Sequence, residues 1–221
     1  MKRYALIVAG GSGSRMGSSL PKQFLPLKGK PVLFRTLSVF YHFDPEIEII
    51  LALPDTQIPY WNELISSQQE KIPHQIVPGG KTRFHSVKNA LQKITEEGIV
   101  FIHDGVRPLV SPETLMRCLN LTIEKGNAIP VLPSNESLRR IEKDSSVAVD
   151  RSQYVMVQTP QVFHSSIILE AYNQKFSPLF TDDASVVEKL GYPIHLTEGN
   201  RENIKITHPS DLIIAEAFMK D

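Results

Sequence analysis

Tyr4-Ala-Leu-Ile-Val8 runs without a charged residue into Ala9-Gly10-Gly11-Ser-Gly13-Ser-Arg15-Met16 and on through Leu20-Pro-Lys22-Gln-Phe24. An apolar run of this kind, bounded by glycine, fits a strand covered on both faces. The glycines after it let the backbone turn sharply and approach a ligand, since no Cβ stands in the way. Successive N–H groups in such a turn form an anion-binding concavity, and Arg15 and Lys22 bring two cations to the same neighbourhood. That combination suits a nucleoside triphosphate, although glycine turns between strand and helix also occur with no ligand. A dinucleotide fingerprint does not fit. Met16 stands where its third glycine belongs, and the next strand ends at Asp55, far beyond the ~20 residues such a motif allows. No Gly-Lys-Ser/Thr closes the stretch either, which excludes the kinase-type phosphate loop. The turn is another kind of nucleotide cradle, or none.

Working outward, apolar runs and helical spacings alternate. The spacing predicts helices over 31–40, 58–67, 83–94 and 112–125, with strands over 47–53, 75–77, 99–102 and 128–132. Farther on it predicts a strand over 155–157, helices over 165–176 and 182–190, a strand over 194–196 and a last helix over 209–219. Such alternation predicts an α/β fold: a Rossmann-like, mostly parallel twisted sheet with helices on both faces. Ligands bind such sheets at the carboxyl ends of the strands, near the point where strand order reverses. The polar residues and glycines gather at those ends: the opening loop, Gly79-Gly80, and His103 to Arg107.

The rhythm breaks at 134–152. Ser137 to Ile141 and Val147 to Val149 read as a β-hairpin with a polar tip and no core face. An isolated hairpin is marginal without support, so this reads as an arm that protrudes from one domain spanning 1–221 and packs on a second subunit.

With 24 Lys+Arg against 24 Asp+Glu, net charge offers no case for nucleic acid or an acidic membrane as partner. Cys118, the one cysteine, reads as a small buried hydrophobe, excludes an internal disulfide and suits the cytosol. No signal peptide is expected, because the N-terminus leads straight into a strand. Nor does any apolar run approach the ~20 residues that span a bilayer. The expectation is a cytoplasmic protein.

The polar constellations each carry two readings. Asp104 could hold a divalent cation such as Mg²⁺, which takes one or two carboxylates plus substrate phosphates, or it could cap a turn. Arg107 pairs with it or faces a ligand. Gly79-Gly80-Lys-Thr-Arg83-Phe-His-Ser86 puts glycines before a helix start, where anions are attracted; Ser86 meets the ligand or is an exposed helical residue. Gln158-Thr159-Pro160-Gln161 forms a polar island between apolar elements. Thr181 and Asp182 fit helix caps. Lys205 lies in a short apolar run, where an ammonium is costly unless paired, which favours a functional lysine. The seven histidines show no zinc-ligand spacing, and no serine nucleophile elbow occurs.

Taken together, the opening loop, Pro21-Lys22-Gln-Phe24, Gly79-Gly-x-x-Arg83-x-x-Ser86, His103-Asp104-x-x-Arg107-Pro108, Thr159-Pro160-Gln161, Thr181-Asp-Asp-Ala-Ser185 and Asn203-Ile-Lys205 resemble the 2-C-methyl-D-erythritol 4-phosphate cytidylyltransferase family. The match keeps its order over nearly the whole chain. The resemblance implies a nucleotidyltransferase fold and attack of a polyol phosphate on the α-phosphorus of CTP, with pyrophosphate leaving. It implies that Arg15 and Lys22 stabilise the transition state and that Arg151 and Lys205 position the acceptor phosphate. Ala9, Gly10, Gly11, Gly13, Gly79, Gly80, Arg83, Ser86, Asp104 and Gly105 would hold CTP. Asp104, Arg107, Ser137, Thr159 and Thr181 would meet the acceptor, with Asp104 also near Mg²⁺. It further implies a homodimer joined through the arm, Arg151 reaching the neighbour's site. Gly10 and Asp104-Gly-Val-Arg107 depart from the family's usual Ala-Ala-Gly and Asp-Ala-Ala-Arg, and Glu136-Ser137 from its Asp-Thr. The first two departures resemble the sister ribitol-5-phosphate cytidylyltransferases. The Thr-Asp-Asp-Ala-Ser run and the arm's Ser-Leu-Arg-Arg favour methylerythritol phosphate. A non-catalytic nucleotide-binding module is the reading from another class; Arg15, Lys22, Arg151 and Lys205 together argue against it.

Overall fold

The computed structural model describes residues 1–10 and 20–219; Gly11, Gly13 and Arg15 lie outside the described residues. The chain opens with β1 (Lys2–Val8), a small hairpin β2 (Pro26–Leu27) and β3 (Lys30–Pro31), then α1 (Val32–Phe43) and β4 (Glu48–Leu53). There follow α2 (Ile58–Ser66), β5 (Gln75–Pro78), α3 (Arg83–Leu91), β6 (Gly98–Asp104), α4 (Pro112–Lys125) and β7 (Asn127–Pro133). The remainder comprises β8 (Arg139–Ile141), β9 (Ser146–Ala148), β10 (Val155–Val157), β11 (Gln161–His164), α5 (Ser165–Ala171), α6 (Asp183–Glu188), β12 (Leu196–Glu198) and α7 (Pro209–Phe218).

The main sheet runs β5-β4-β1-β6-β11-β7, with β10 and β12 also on β7. β1 is parallel to β4 on one side, Ile7 opposite Leu51, and parallel to β6 on the other, Val8 opposite Asp104. β11 crosses the centre antiparallel, between β6 and β7. The chain leaves β1 toward β4 and later returns to β6 on the opposite side. The gap beyond the ends of β1 and β6 is therefore the point where strand order reverses.

Alternation along β1 explains why both faces are covered. Ala5 and Ile7 pack with Phe34, Leu37 and Phe40 of α1, Trp61 of α2 and Leu115 of α4. Tyr4, Leu6 and Val8 pack on the other face with Phe84, Val87 and Ala90 of α3 and Ile168 of α5. Both layers are apolar because strand side chains point to alternate faces and each face carries helices. Cys118 is buried in the first layer, as expected of a small hydrophobe. A third cluster, Leu27, Val32, Val106, Ile206 and Ala215, seats α7 against the turn that leaves β6.

Three element readings need correction. The polar island at 158–161 conceals the start of a central strand, because Gln161 opens β11. That side chain is fully buried, its amide bonded to Asp182 and to the Ala184 N–H. The helix expected to reach Phe176 stops at Ala171; Phe176 and Phe180, which mimic its periodicity, lie in the following loop and pack on Phe84. The strand expected at 194–196 forms two residues later, at Leu196–Glu198. The hairpin β8–β9 pairs within itself, a separate two-stranded sheet with Arg139 opposite Ala148. No helix among the described residues is long and apolar enough to cross a membrane.

Candidate active site

Close approach shapes the backbone around the β1/β6 gap. The Gly105 N–H donates to the Val8 carbonyl at 2.9 Å, tying the exit of β6 to the end of β1. A Cβ on Gly105 would come within 2.9 Å of Leu33 Cδ1 and 3.0 Å of Ala9 Cβ, so glycine stands here because of packing. Gly80 admits no side chain either, since a Cβ would meet the His85 backbone at 2.9 Å. The Gly80 N–H donates to Ser86 Oγ at 3.0 Å, and that hydroxyl donates to the Thr82 carbonyl at 3.2 Å. Ser86 is thus buried and engaged, not an exposed helical residue.

Asp104, at the last position of β6, is the centre of charge. Lys205 Nζ lies 2.8 Å from its Oδ2, Arg83 Nε 3.4 Å from Oδ1, and Arg107 Nε 3.7 Å from Oδ2. Burial alone would raise this carboxyl's pKa; Arg83, Lys205 and Arg107 overcome it and hold the group well below the carboxylate range. Lys205 is exposed at the cavity rather than buried in the apolar run around it, and it is paired through Asp104. Arg83 is forked onto Asp183 of α6, at 2.9 Å and 2.6 Å, and the Tyr172 hydroxyl donates to Asp183 at 2.6 Å.

A polar layer beneath holds Asp104 in place. Its backbone N–H donates to Thr159 Oγ1 at 3.1 Å, which leaves that hydroxyl's proton for His103 Nδ1 at 3.1 Å. His103 Nε2 then donates to the Arg107 carbonyl at 2.9 Å. Burial pushes the His103 imidazole down to about 4, so it is neutral and accepts at Nδ1. Arg107 donates to the Asn203 carbonyl at 2.7 Å, and Asn203 Nδ2 to the Thr159 carbonyl at 2.8 Å. The motifs at 103–107, 159–161 and 203–205, far apart in sequence, thus interlock.

Above them opens a cavity of about 260 Å³ lined by Ala9, Gly10, Lys22, Gln23, Gly80, Lys81, Arg83, Ser86, Asp104 and Lys205, among others. Lys22 is nearly buried, its ammonium 2.9 Å from the Ile206 carbonyl. Among the described residues, Lys22, Lys81, Arg83 and Lys205 line the cavity against Asp104, a balance that favours an anion. Arg107 and Thr159 lie below the lining, Thr181 is exposed just before α6, and Ser137 and Arg151 are exposed at the hairpin. Arg151 bonds the Asn135 carbonyl and does not reach this chain's cavity. Among the described residues no group of three His, Cys, Asp or Glu gathers to hold a metal.

The sequence alone assigned no role to Asp183, which stood only within the Thr181 to Ser185 run, nor to Gln23, whose amide donates to the Ala9 carbonyl at 3.1 Å. Two adjacent acids at a helix start, only one of which is needed as the cap, were the available signal for Asp183.

Residues 4–221 match the model of the IspD family, 2-C-methyl-D-erythritol 4-phosphate cytidylyltransferase. The chain belongs to this family. A cytidylyltransferase of that name from Bacteroides fragilis is 53% identical over 219 residues, covering 99% of this chain and all of that one. The Thermus thermophilus enzyme of the same name superposes with a TM-score of 0.78 at 32% identity, over 98% of both chains. The 4-diphosphocytidyl-2C-methyl-D-erythritol synthase of Anaerococcus prevotii gives a TM-score of 0.83 at 28% identity, over 98% of this chain and 95% of that one.

Proposed function

We propose that the chain transfers a cytidylyl group from CTP to the phosphate of 2-C-methyl-D-erythritol 4-phosphate. The observation that carries this reading is the cation-lined cavity at the β1/β6 gap, where Lys22 and Lys205 line one cavity with Asp104. An acceptor phosphate oxygen attacks the α-phosphorus, the bond to the bridging oxygen breaks, and pyrophosphate leaves. The nucleophile is already ionised, so the chemistry needs positioning and charge neutralisation more than a base.

In this reading Lys22, with Arg15 from outside the described residues, stabilises charge at the α-phosphorus. The backbone from Ala9 to Gly13, with Gly79, Gly80, Arg83, Ser86 and Gly105, holds the nucleotide. Lys205 positions the acceptor phosphate, while Arg107, Thr159 and Thr181 support the acceptor side. Ser137 and Arg151 serve the neighbour's site in a homodimer joined through the hairpin arm. The exposure of Tyr154, Val155, Met156 and Val157 beside the arm supports that assembly. A divalent cation, Mg²⁺ or an equivalent, would neutralise triphosphate charge when bound with CTP, and Asp104 would be the residue that holds it. One carboxylate, Asp104, suits a cation that draws its remaining ligands from phosphates and water. The lone cysteine and the lack of a spanning helix among the described residues are in keeping with a cytoplasmic enzyme.

The test is pyrophosphate release with CTP, Mg²⁺ and either methylerythritol 4-phosphate or ribitol 5-phosphate, with ATP and GTP as controls. Faster turnover of CTP with methylerythritol phosphate is expected. A preference for ribitol phosphate would reassign the acceptor, and equal use of ATP would sink the base assignment.

A further inference from the structure

Asp183 is a fully buried carboxylate with no part in the chemistry described so far. Its position is set from its own helix: Asp182 caps α6 in a reciprocal pair with Ser185, and Gln161 binds both Asp182 and the Ala184 N–H. From there Asp183 takes the fork of Arg83 and the hydroxyl of Tyr172. Arg83 turns only its Nε toward Asp104, at 3.4 Å, while Asp104 keeps Lys205 at 2.8 Å on its other oxygen. A continuous path, Tyr172–Asp183–Arg83–Asp104–Lys205, therefore joins the end of α5 to the segment before α7.

A bidentate carboxylate fixes both the place and the plane of a guanidinium. Were Asp183 uncharged, Asp104 would be the remaining anion next to the Arg83 fork, and the fork would compete there with Lys205. We propose that Asp183, oriented by Tyr172, is a positioning residue: it holds the Arg83 fork off Asp104, so that Asp104 keeps Lys205 at the acceptor edge of the cavity. The consequence for turnover rests on the cytidylyltransferase reading above; the geometric claim does not.

Two measurements separate these. The first is labelling of Lys205 by an amine-reactive reagent, read by peptide mass spectrometry against exposed Lys93. Asp183→Asn releases Lys205 from Asp104, and its labelling is expected to quicken several-fold. The second is steady-state kinetics with CTP and the acceptor phosphate. Asp183→Asn is expected to lower kcat/KM for the acceptor by about 10²-fold, the cost of a small misplacement. It should add nothing in an Arg83→Gln background, because it acts through Arg83. Should Asp183→Asn fail to fold, Tyr172→Phe carries both measurements, with a loss of roughly fivefold, the worth of one hydrogen bond. Unchanged Lys205 labelling in a folded variant overturns the proposal, as does full additivity with Arg83→Gln. A wild-type protein without turnover counts against the cytidylyltransferase reading, and the labelling result still decides the network.

Discussion

His103 satisfies all its partners only when neutral: Nδ1 accepts from Thr159 and Nε2 donates to the Arg107 carbonyl. Its folded pKa is pushed down to about 4 from 6.5. Between those values the unfolded chain binds the extra proton, so stability is full above about 6.5 and falls as pH drops toward about 4. Unfolding by urea should show about 2 kcal/mol lost to this residue between pH 7 and pH 5. A His103→Gln protein with the same pH slope would contradict the assignment. At Gly105, alanine would press on Leu33, Ala9 and the Val8 carbonyl. Gly105→Ala is expected to cost about 1–3 kcal/mol by overpacking, read as a lower urea midpoint; an unchanged midpoint would mean the turn gives way freely. Lys22→Ala should lower kcat by about 10²–10³ with a smaller change in the KM for CTP. Near-normal turnover would remove Lys22 from its transition-state role.

The hairpin β8–β9 makes its own small sheet, and Ile141 at its end is 86% exposed. Next to it Tyr154 to Val157 present four consecutive side chains that are 43–50% exposed. A hairpin of this size is marginal alone, which is the physical case for a partner. Replacing residues 136–149 by a short turn should leave a folded monomer by sedimentation, with a melting temperature within a few degrees of wild type per chain. A truncated protein that stays dimeric would remove the arm from the interface. The hairpin was legible because its sequence lacks a core face. β11 was not, because its buried positions include Gln161, and polarity alone reads as a loop. Only the amide's partners, Asp182 and Ala184, make that burial tolerable.

The assembly itself can be tested by complementation. Arg151→Ala and Lys205→Ala proteins should each be nearly inactive. Mixed and allowed to exchange subunits, they should recover roughly a quarter of wild-type activity, since half the dimers are mixed and one of their two sites is intact. No recovery would place Arg151 on its own chain's site, or on none.

Alternating apolar runs, glycine turns and polar clusters are local properties; they determined the α/β class and the gathering of polar residues at the strand ends, and the ordered motifs carried the resemblance to the family. Asp104 was legible as a candidate because a carboxylate at a strand exit suits a cation, and Lys205 because it stands in a short apolar run of sequence. Which partner was not legible. Asp183, His103 and Gln23 acquire their roles from neighbours as much as 100 residues away in sequence, such as Arg83 for Asp183. Only the folded sheet, by bringing β6, β11, α3 and α6 to one end, decides which carboxylate meets which cation.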